Sequence, residues 1–108
     1  MVVNTLDATF AALADPTRRA ILFHLGKAPA TVGMLAAPFK ITQQAISKHI
    51  AVLKRAKLLR QEKDGRLHRC ILDPAPLDEA TAWIEEHRIL WNDRFDRLDT
   101  LLRISNGK

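Results

Sequence analysis

Two glutamines, a serine and a lysine stand close together just after Thr42, and their chemistry suits hydrogen bonding to nucleic acid. Glutamine amides and serine hydroxyls bond the edges of bases, whereas lysine binds phosphate. The four residues are Gln43, Gln44, Ser47 and Lys48. They suit a helix that enters the major groove of DNA, but an ordinary surface helix over a core would also carry them.

The segment 42–55 must be helical for those side chains to act together, and its apolar residues predict that it is. Three branched aliphatic residues recur at i, i+4 and i+7, which places them on one helix face toward a core. They are Ile46, Ile50 and Leu53. Thr42 is suited to cap the N-terminus. Gln44 and Lys48 would then point nearly opposite to the core.

The charge of the chain is concentrated around this segment. The net charge is +5, yet residues 40–69 hold nine Lys/Arg and two acids, and the rest of the chain has a small acidic excess. Such clustering is typical of nucleic-acid binding. A solvated charged face would give the same count, so the count alone does not decide between them.

Other kinds of chemistry have little support. The four histidines are far apart in sequence and no two have the local spacing of metal ligands; they are His24, His49, His68 and His87. There is no glycine loop for phosphate and no nucleophile elbow. We expect no cofactor, no metal and no enzymatic activity. Cys70 is either structural filler or, less simply, a redox sensor.

Composition predicts an ordinary globular protein. The 108 residues fit one domain, and 47% are apolar. No stretch approaches the roughly 18 apolar residues of a membrane span. The first ten residues lack the pattern of a secretory signal, and a single cysteine excludes an internal disulfide. A cytoplasmic location is the simplest expectation.

Three helices are predicted before the polar segment. Leu6, Phe10 and Leu13 have the spacing of a short amphipathic helix. A second helix starts after Asp15 with Pro16 in its first position and ends near Gly26. A third is capped by Thr31, runs through Leu35 and Ala36, and is stopped because Pro38 biases Ala37 away from helix.

A basic hairpin is predicted after the polar segment. Asp64-Gly65 forms a strong two-residue turn signal between the flanks Leu58–Glu62 and Leu67–Leu72. Lys63 and Arg66 lie next to that turn. The hairpin would therefore present positive charge at its tip.

The last segment is predicted to be one helix from Leu77 to about Leu102. Apolar residues keep a three/four spacing over a length of roughly 39 Å. A small domain does not cover a helix of that length, so its large side chains are expected to bury against a second copy. Including residues from the first helix, the predicted dimer interface comprises Leu6, Phe10, Trp83, Ile84, Leu90, Trp91, Phe95, Leu98 and Leu102.

A short helix, a tight turn, a second helix with a polar outer face and a basic hairpin together predict a winged helix-turn-helix. The fold class is mainly α with a small β-hairpin, in a dimer. Gln43, Gln44 and Ser47 would read bases, with Gln suited to adenine. Arg66 would reach the adjacent minor groove. The full set of predicted DNA contacts is Thr42, Gln43, Gln44, Ser47, Lys48, His49, Lys54, Arg55, Lys63 and Arg66.

Three segments resemble the ArsR family of bacterial winged-helix repressors: "FAALADPTRRAILFHL", "TVGMLAAPFKITQQAISKHIAVLKRAKLL" and "KDGRLHRCILDP". The resemblance implies a homodimer held by its first and last helices. It also implies two reading helices on a pseudo-palindromic operator in double-stranded DNA, and release of DNA when an inducer binds. The tail "WNDRFDRLDTLL" is similar to a metal-independent branch of that family. His49 falls at the edge of the reading helix.

The metal ligands of the family are missing. Metal-sensing members carry a cysteine pair where this chain reads "TVGMLAAPF", and a second kind of site finds Ala80 in place of a ligand. The inducer therefore stays unknown. We expect one domain over 1–108, with a DNA-binding core at 5–75 and a dimerisation helix at 76–103. The alternative is a winged-helix interaction module that dimerises without binding DNA.

Overall fold

A computed structural model describes residues 5–105 of the chain. Its secondary-structure elements confirm a mainly α fold with a small antiparallel sheet. Residues 1–4 and 106–108, which the predicted domain range includes, lie outside the described residues. The elements are α1 (Thr5–Leu13), α2 (Pro16–Leu25), β1 (Ala30–Thr31), α3 (Val32–Ala36), a 3-10 turn (Ala37–Phe39), α4 (Gln43–Arg55), β2 (Leu59–Asp64), β3 (Leu67–Leu72) and α5 (Ala75–Ser105).

Three helices begin where their capping residues predicted. The Asp15 carboxylate accepts hydrogen bonds from the backbone N–H groups of Thr17 and Arg18, at 2.8 and 3.1 Å. The Thr31 hydroxyl caps α3 and the Thr42 hydroxyl caps α4, each through an N–H three residues on. Because capping satisfies donors that the helix itself leaves open, these local signals survive in the fold.

The apolar side of α4 is confirmed as part of the core. Ile46 and Leu53 are completely buried, and Ile50 is nearly so. They pack in one cluster with residues from the other elements of residues 5–78. Its largest fully buried members outside α4 are Ile21, Leu35 and Leu58. The polar side of α4 is left outside by this packing.

α1 is confirmed as a helix, and small residues form the face that it buries. Thr9 and Ala12 are the buried residues of α1, and Phe10 is 39% exposed. Small side chains allow α1 to approach the core closely, with Ala8 and Leu13 completing the contact. The large aromatic ring is consequently placed on the outer side.

The sheet has one strand more than predicted, in the order β1-β3-β2. β1 contributes only two residues, with Ala30 opposite Cys70 and Thr31 opposite Arg69. Two residues carry no detectable alternation, so β1 could not be seen in the sequence. It ties the start of α3 to the second strand of the hairpin.

The hairpin turn lies one residue later than predicted. Asp64 pairs with Leu67, so the two loop residues are Gly65 and Arg66 instead of Asp64 and Gly65. Gly65 has φ +64°, a conformation that favours glycine, and it occupies the first loop position. Arg66 is therefore within the turn and stands at the very tip of the hairpin.

Two further boundaries differ from expectation. Ala37 keeps α-helical dihedral angles and leads into the 3-10 turn, because Pro38 is tolerated in the first turn of a new helical segment. α5 begins at Ala75 and ends at Ser105, beyond the predicted 77–102. The Asp73 carboxylate accepts a hydrogen bond from the Ala75 N–H, which caps α5 and allows it to begin before the predicted Leu77.

Contacts divide the chain into two compact units, with the boundary between Asp78 and Glu79. Within the second unit, α5 is stabilised by ion pairs along its polar side. Arg97 contacts Asp93 and Arg103 contacts Asp99 at i, i+4 spacing. A third pair, Arg88–Glu85, is at i, i+3. Between them the helix exposes large apolar side chains: Ile84, Ile89, Leu90, Trp91, Phe95, Leu98, Leu101, Leu102 and Ile104.

The surroundings of the Cys70 thiol favour a structural role. It is completely buried and accepts a 3.8 Å contact from the Gln61 amide. Burial raises the pKa of the Cys70 thiol above its ordinary value, whereas the Gln61 contact opposes that shift. The neutral thiol is favoured in the folded protein, which argues against a redox sensor.

We predict that a thiol reagent at neutral pH will label Cys70 only as fast as the protein opens. Because folding raises the pKa of Cys70, the contribution of this thiol to stability is fully present below its unfolded pKa. That contribution is lost as pH rises through the folded pKa. The check is labelling followed by mass spectrometry, with and without urea. Rapid labelling of the folded protein would contradict the buried placement.

Candidate nucleic-acid interface

The outer face of α4 carries the side chains with which a helix reads DNA. Gln44, Ser47 and Lys48 are exposed, opposite the three buried aliphatic residues. Ala51 is exposed on the same side and adds no bulk. A small, polar face allows the close approach to base edges that reading in the major groove requires.

One flank of α4 is held to the sheet. The Lys54 amino group donates to the Gln61 side-chain oxygen of β2 at 3.3 Å. Both residues line a shallow cavity of about 290 Å³, together with Ser47 and Ala51. Lys54 therefore has a defined position on the side of α4 that faces the hairpin.

The other flank of α4 borders α1 and α2. Arg55 lies there with Arg18 in a groove of about 500 Å³ whose walls are small apolar side chains. Arg55 and Lys48 are seven residues apart, so they share one side of the helix. Arg18 and Arg55, which come from different parts of the sequence, are thus brought together beside the outer face of α4.

Two arginines at the start of α2 fix the corner between α1 and α2. Arg18 donates from Nε to the Ala12 carbonyl at 2.7 Å and from Nη2 to the Ala11 carbonyl at 3.1 Å. Arg19 donates to the Leu13 carbonyl at 2.7 Å. These carbonyls end α1 and have no partner within the helix. Our sequence prediction missed this role, although cations in a first turn oppose the helix dipole and so signal another partner.

The corner also touches the reading helix. The His49 ring nitrogen Nδ1 lies 4.0 Å from the Asp15 carboxylate. Hydrogen bonds from the Arg18 and Thr17 backbone, with nearby positive charge, hold the pKa of Asp15 below its ordinary value. His49 is half-buried and turned toward α2. His49 is thereby held at the edge of α4, beside the start of α2.

The hairpin separates its charges onto two faces. Arg60 pairs with Glu62 at 3.2 Å, and Arg69 lies 3.7 Å from Asp64. By strand alternation these four residues share one face. Both acids of residues 40–69 are therefore engaged on the same side of the hairpin.

The remaining cations of that segment are left without a carboxylate. In the part of the chain that the structure describes, seven of the nine lie beyond 4.0 Å from any acidic side chain. Their charge is not neutralised locally, which makes the surface attractive to polyanions. They are Lys40, Lys48, Lys54, Arg55, Lys57, Lys63 and Arg66.

A cleft of about 320 Å³ separates the start of α4 from the hairpin tip. Its polar lining comes from Gln43 on α4 and from Arg66 and His68 on the hairpin. Lys63 stands opposite His68 on the same face of the hairpin. The lining residues are Thr31, Val32, Gly33, Gln43, Arg66, Leu67 and His68.

Two other kinds of feature are absent from residues 5–105. Across that range, no three side chains of His, Cys, Asp or Glu meet where they could hold a metal ion together. None of its helices combines the length and apolar character that crossing a membrane requires. The exposed face of α4 and the hairpin tip are therefore the candidate interface.

Comparisons with known proteins agree with this geometry. Residues 13–62 match the family described as a helix-turn-helix domain. The chain is 32% identical over 79 residues to the transcriptional repressor SdpR of Bacillus subtilis, covering 73% of this chain and 88% of the relative. The crystal structure of the ArsR family transcriptional regulator RHA00566 superposes with a TM-score of 0.77 at 40% identity, covering 82% of this chain and 98% of that one. The chain belongs to the ArsR family. The chain is also 41% identical over 71 residues to the HTH-type transcriptional regulator Rv2034 of Mycobacterium tuberculosis, covering 66% of each chain.

Membership confirms the winged helix-turn-helix fold and a DNA-binding transcriptional regulator as the function. In ArsR terms, α3 and α4 form the helix-turn-helix, and β2 and β3 form the wing. Two features of this chain that sequence reasoning did not find are β1 and the arginines of α2 that bind the last carbonyls of α1. Both stabilise the frame around α4.

Replacing the cap of α2 should loosen this frame. We expect Asp15→Ala to lower the melting temperature, and Asp15→Asn, which keeps an acceptor, to lower it less. The pKa of Asp15 is depressed on folding, so its stabilisation is present above the unfolded pKa and disappears as pH falls through the folded pKa. Urea unfolding of wild type and Asp15→Asn at successively lower pH measures this. The difference in free energy of unfolding between wild type and Asp15→Asn should shrink as pH falls, and a difference that grows would contradict the prediction.

Proposed function

We propose that the protein is a homodimeric repressor that binds a pseudo-palindromic operator near its own or neighbouring genes. The observation that carries the proposal is the charge distribution: unneutralised cations line α4 and the wing tip, while the acids of the hairpin are engaged on its other face. Phosphate contacts from these cations would provide affinity, and the polar face of α4 would provide specificity.

Roles divide along α4 and the wing. Gln44 and Ser47 are directed to base edges in the major groove. Lys48, Lys54 and Arg55 anchor phosphates beside it, and Thr42 and His49 support the helix at its start and its edge. Arg66 at the wing tip, supported by Lys63, is directed to the adjacent minor groove. A protein-interaction module without DNA binding would not require this concentration of charge.

The proposal is tested by titrating the purified protein with labelled DNA from its own promoter region at moderate salt. A saturable complex that survives competition by random-sequence duplex is expected. Footprinting should show two protected half-sites whose centres are about 34–36 Å, or a multiple, apart. If random-sequence duplex competes for the protein as well as unlabelled promoter DNA does, a specific operator is excluded.

Single substitutions should distinguish anchors from readers. Lys48→Ala and Arg66→Ala are expected to weaken binding to all sequences and to reduce the salt dependence by roughly one phosphate each. Gln44→Ala is expected to cost about 1–3 kcal/mol on the operator and to relax preference at one base pair. Titrations on a set of single-base operator variants measure both effects. If Gln44→Ala weakens binding to all operator variants by the same factor, Gln44 does not read a base.

The second copy would bury the apolar side of α5. Phe95 is 69% exposed and Leu98 is 51% exposed, which leaves large apolar side chains in water, and neighbouring exposed apolar side chains commonly mark an interaction surface. The proposed interface is that predicted from the sequence: Leu6 and Phe10 of α1 with Trp83, Ile84, Leu90, Trp91, Phe95, Leu98 and Leu102 of α5.

We predict that Leu98→Glu will shift the protein from dimer to monomer, because each copy would place a charge in the apolar interface. Sedimentation or light scattering measures the mass, and DNA titration should show a parallel loss of affinity. Asp96→Lys, on the polar side of the same helix, is the matched control and should stay dimeric. A monomeric wild type would contradict the proposed interface.

A further inference from the structure

We propose that the cleft between α4 and the wing holds one sugar-phosphate strand of the operator, with His68 as a phosphate-binding residue and Gln43 as a strand contact rather than a base reader. The proposal rests on DNA binding as the proposed function and specifies how the two halves of the interface share a strand. It assigns to His68 a role that its isolated position in the sequence did not suggest.

The geometry of duplex DNA requires a strand at this place. The major groove and the adjacent minor groove are separated by one sugar-phosphate backbone. If α4 occupies the first groove and Arg66 at the wing tip reaches the second, that backbone must pass between them. The cleft of about 320 Å³ lies between these two elements.

The lining of the cleft matches a phosphodiester strand. Arg66, His68 and Gln43 line the cleft with side chains that carry N–H donors, and no carboxylate is among the lining residues. A histidine ring has at least one N–H donor in any protonation state, so His68 need not be charged to bond a phosphate oxygen.

Gly33 forms part of the wall of the cleft and positions Gln43. A Cβ at residue 33 would stand only 3.3 Å from the Gln43 amide nitrogen and 4.0 Å from the Thr31 hydroxyl. The absence of that atom allows the Gln43 amide to lie against the start of α3. Gln43 is thereby directed into the cleft, while Gln44, one residue and about 100° further around the helix, stays on the outer face.

The other face of the wing provides the control. Arg69 is adjacent to His68 on β3, but it lies on the opposite face with Asp64. If general attraction between the wing and DNA were the only effect, removing the full charge of Arg69 would weaken binding more than removing His68. The cleft predicts the reverse order.

The test uses the full-length protein and its footprinted operator, in which single phosphates are replaced by uncharged methylphosphonates. We expect wild type to lose about tenfold in affinity at one phosphate in each half-site between the two grooves, as for a hydrogen bond to a charged group. His68→Ala should lose a similar factor on unmodified operator and should lose clearly less than wild type when that phosphate is neutralised, because its own contact is already absent. His68→Gln, which keeps a donor, should recover part of the affinity, and Arg69→Ala should retain the wild-type pattern.

The two glutamines are separated by a second measurement. Gln43→Ala should weaken operator and random-sequence duplex by the same factor, whereas Gln44→Ala should change the preference among base-substituted operators. Gly33→Ala should weaken DNA binding without lowering the melting temperature, because alanine favours helix more than glycine does. A Gly33→Ala protein that melts earlier would instead report a folding defect and would oppose the proposed role of Gly33.

Outcomes for the cleft and for DNA binding itself are distinct. If wild type binds the operator but His68→Ala keeps full affinity and the same methylphosphonate profile, the cleft proposal is wrong and the proposed function stands. Failure of wild type to select any promoter fragment would defeat both. A larger loss for Arg69→Ala than for His68→Ala would also overturn the cleft proposal.

Discussion

Burial of Ile46, Ile50 and Leu53 is the constraint on which the rest of the structure depends. These three side chains hold α4 in the core and leave little freedom for its rotation about its own axis. A helix fixed in this way presents the same outer face at all times. The polar residues there can therefore be pre-organised for a ligand without having been selected for stability, and their identity is free to serve recognition.

The elements around α4 are held by interactions that also distribute charge. Arg18 and Arg19 use their donors on the carbonyls that end α1, which keeps both guanidinium groups close to the corner of the fold. On the wing, Arg60 and Arg69 engage the two available acids. Exposed ion pairs of this kind contribute little stability. Their larger effect is that the acids are kept away from the face that carries Lys63, Arg66 and His68.

Features determined by local chemistry were predictable from the sequence, and features determined by tertiary pairing were not. The caps at Asp15, Thr31 and Thr42 and the buried side of α4 follow from residue type and spacing alone. The strand β1 depends on its partner β3, and the shift of the turn to Gly65-Arg66 depends on register. The buried face of α1 depends on Thr9 and Ala12, whose small side chains suit a close approach to the core that periodicity does not reveal.

The candidate site shows the same division. The set of basic and amide residues was visible in the sequence, because composition and helical spacing are enough to collect them on one side. Their individual directions were not visible. Gln43 and Gln44 are identical in type and adjacent in sequence, yet one lies against Gly33 and the other faces outward. The one-residue step along α4 turns the two side chains about 100° apart, and the lack of a Cβ at Gly33 leaves room for the Gln43 amide beside the start of α3. Sequence reasoning can therefore nominate the residues of a DNA interface, whereas the separation of base contacts from strand contacts depends on the packing around them.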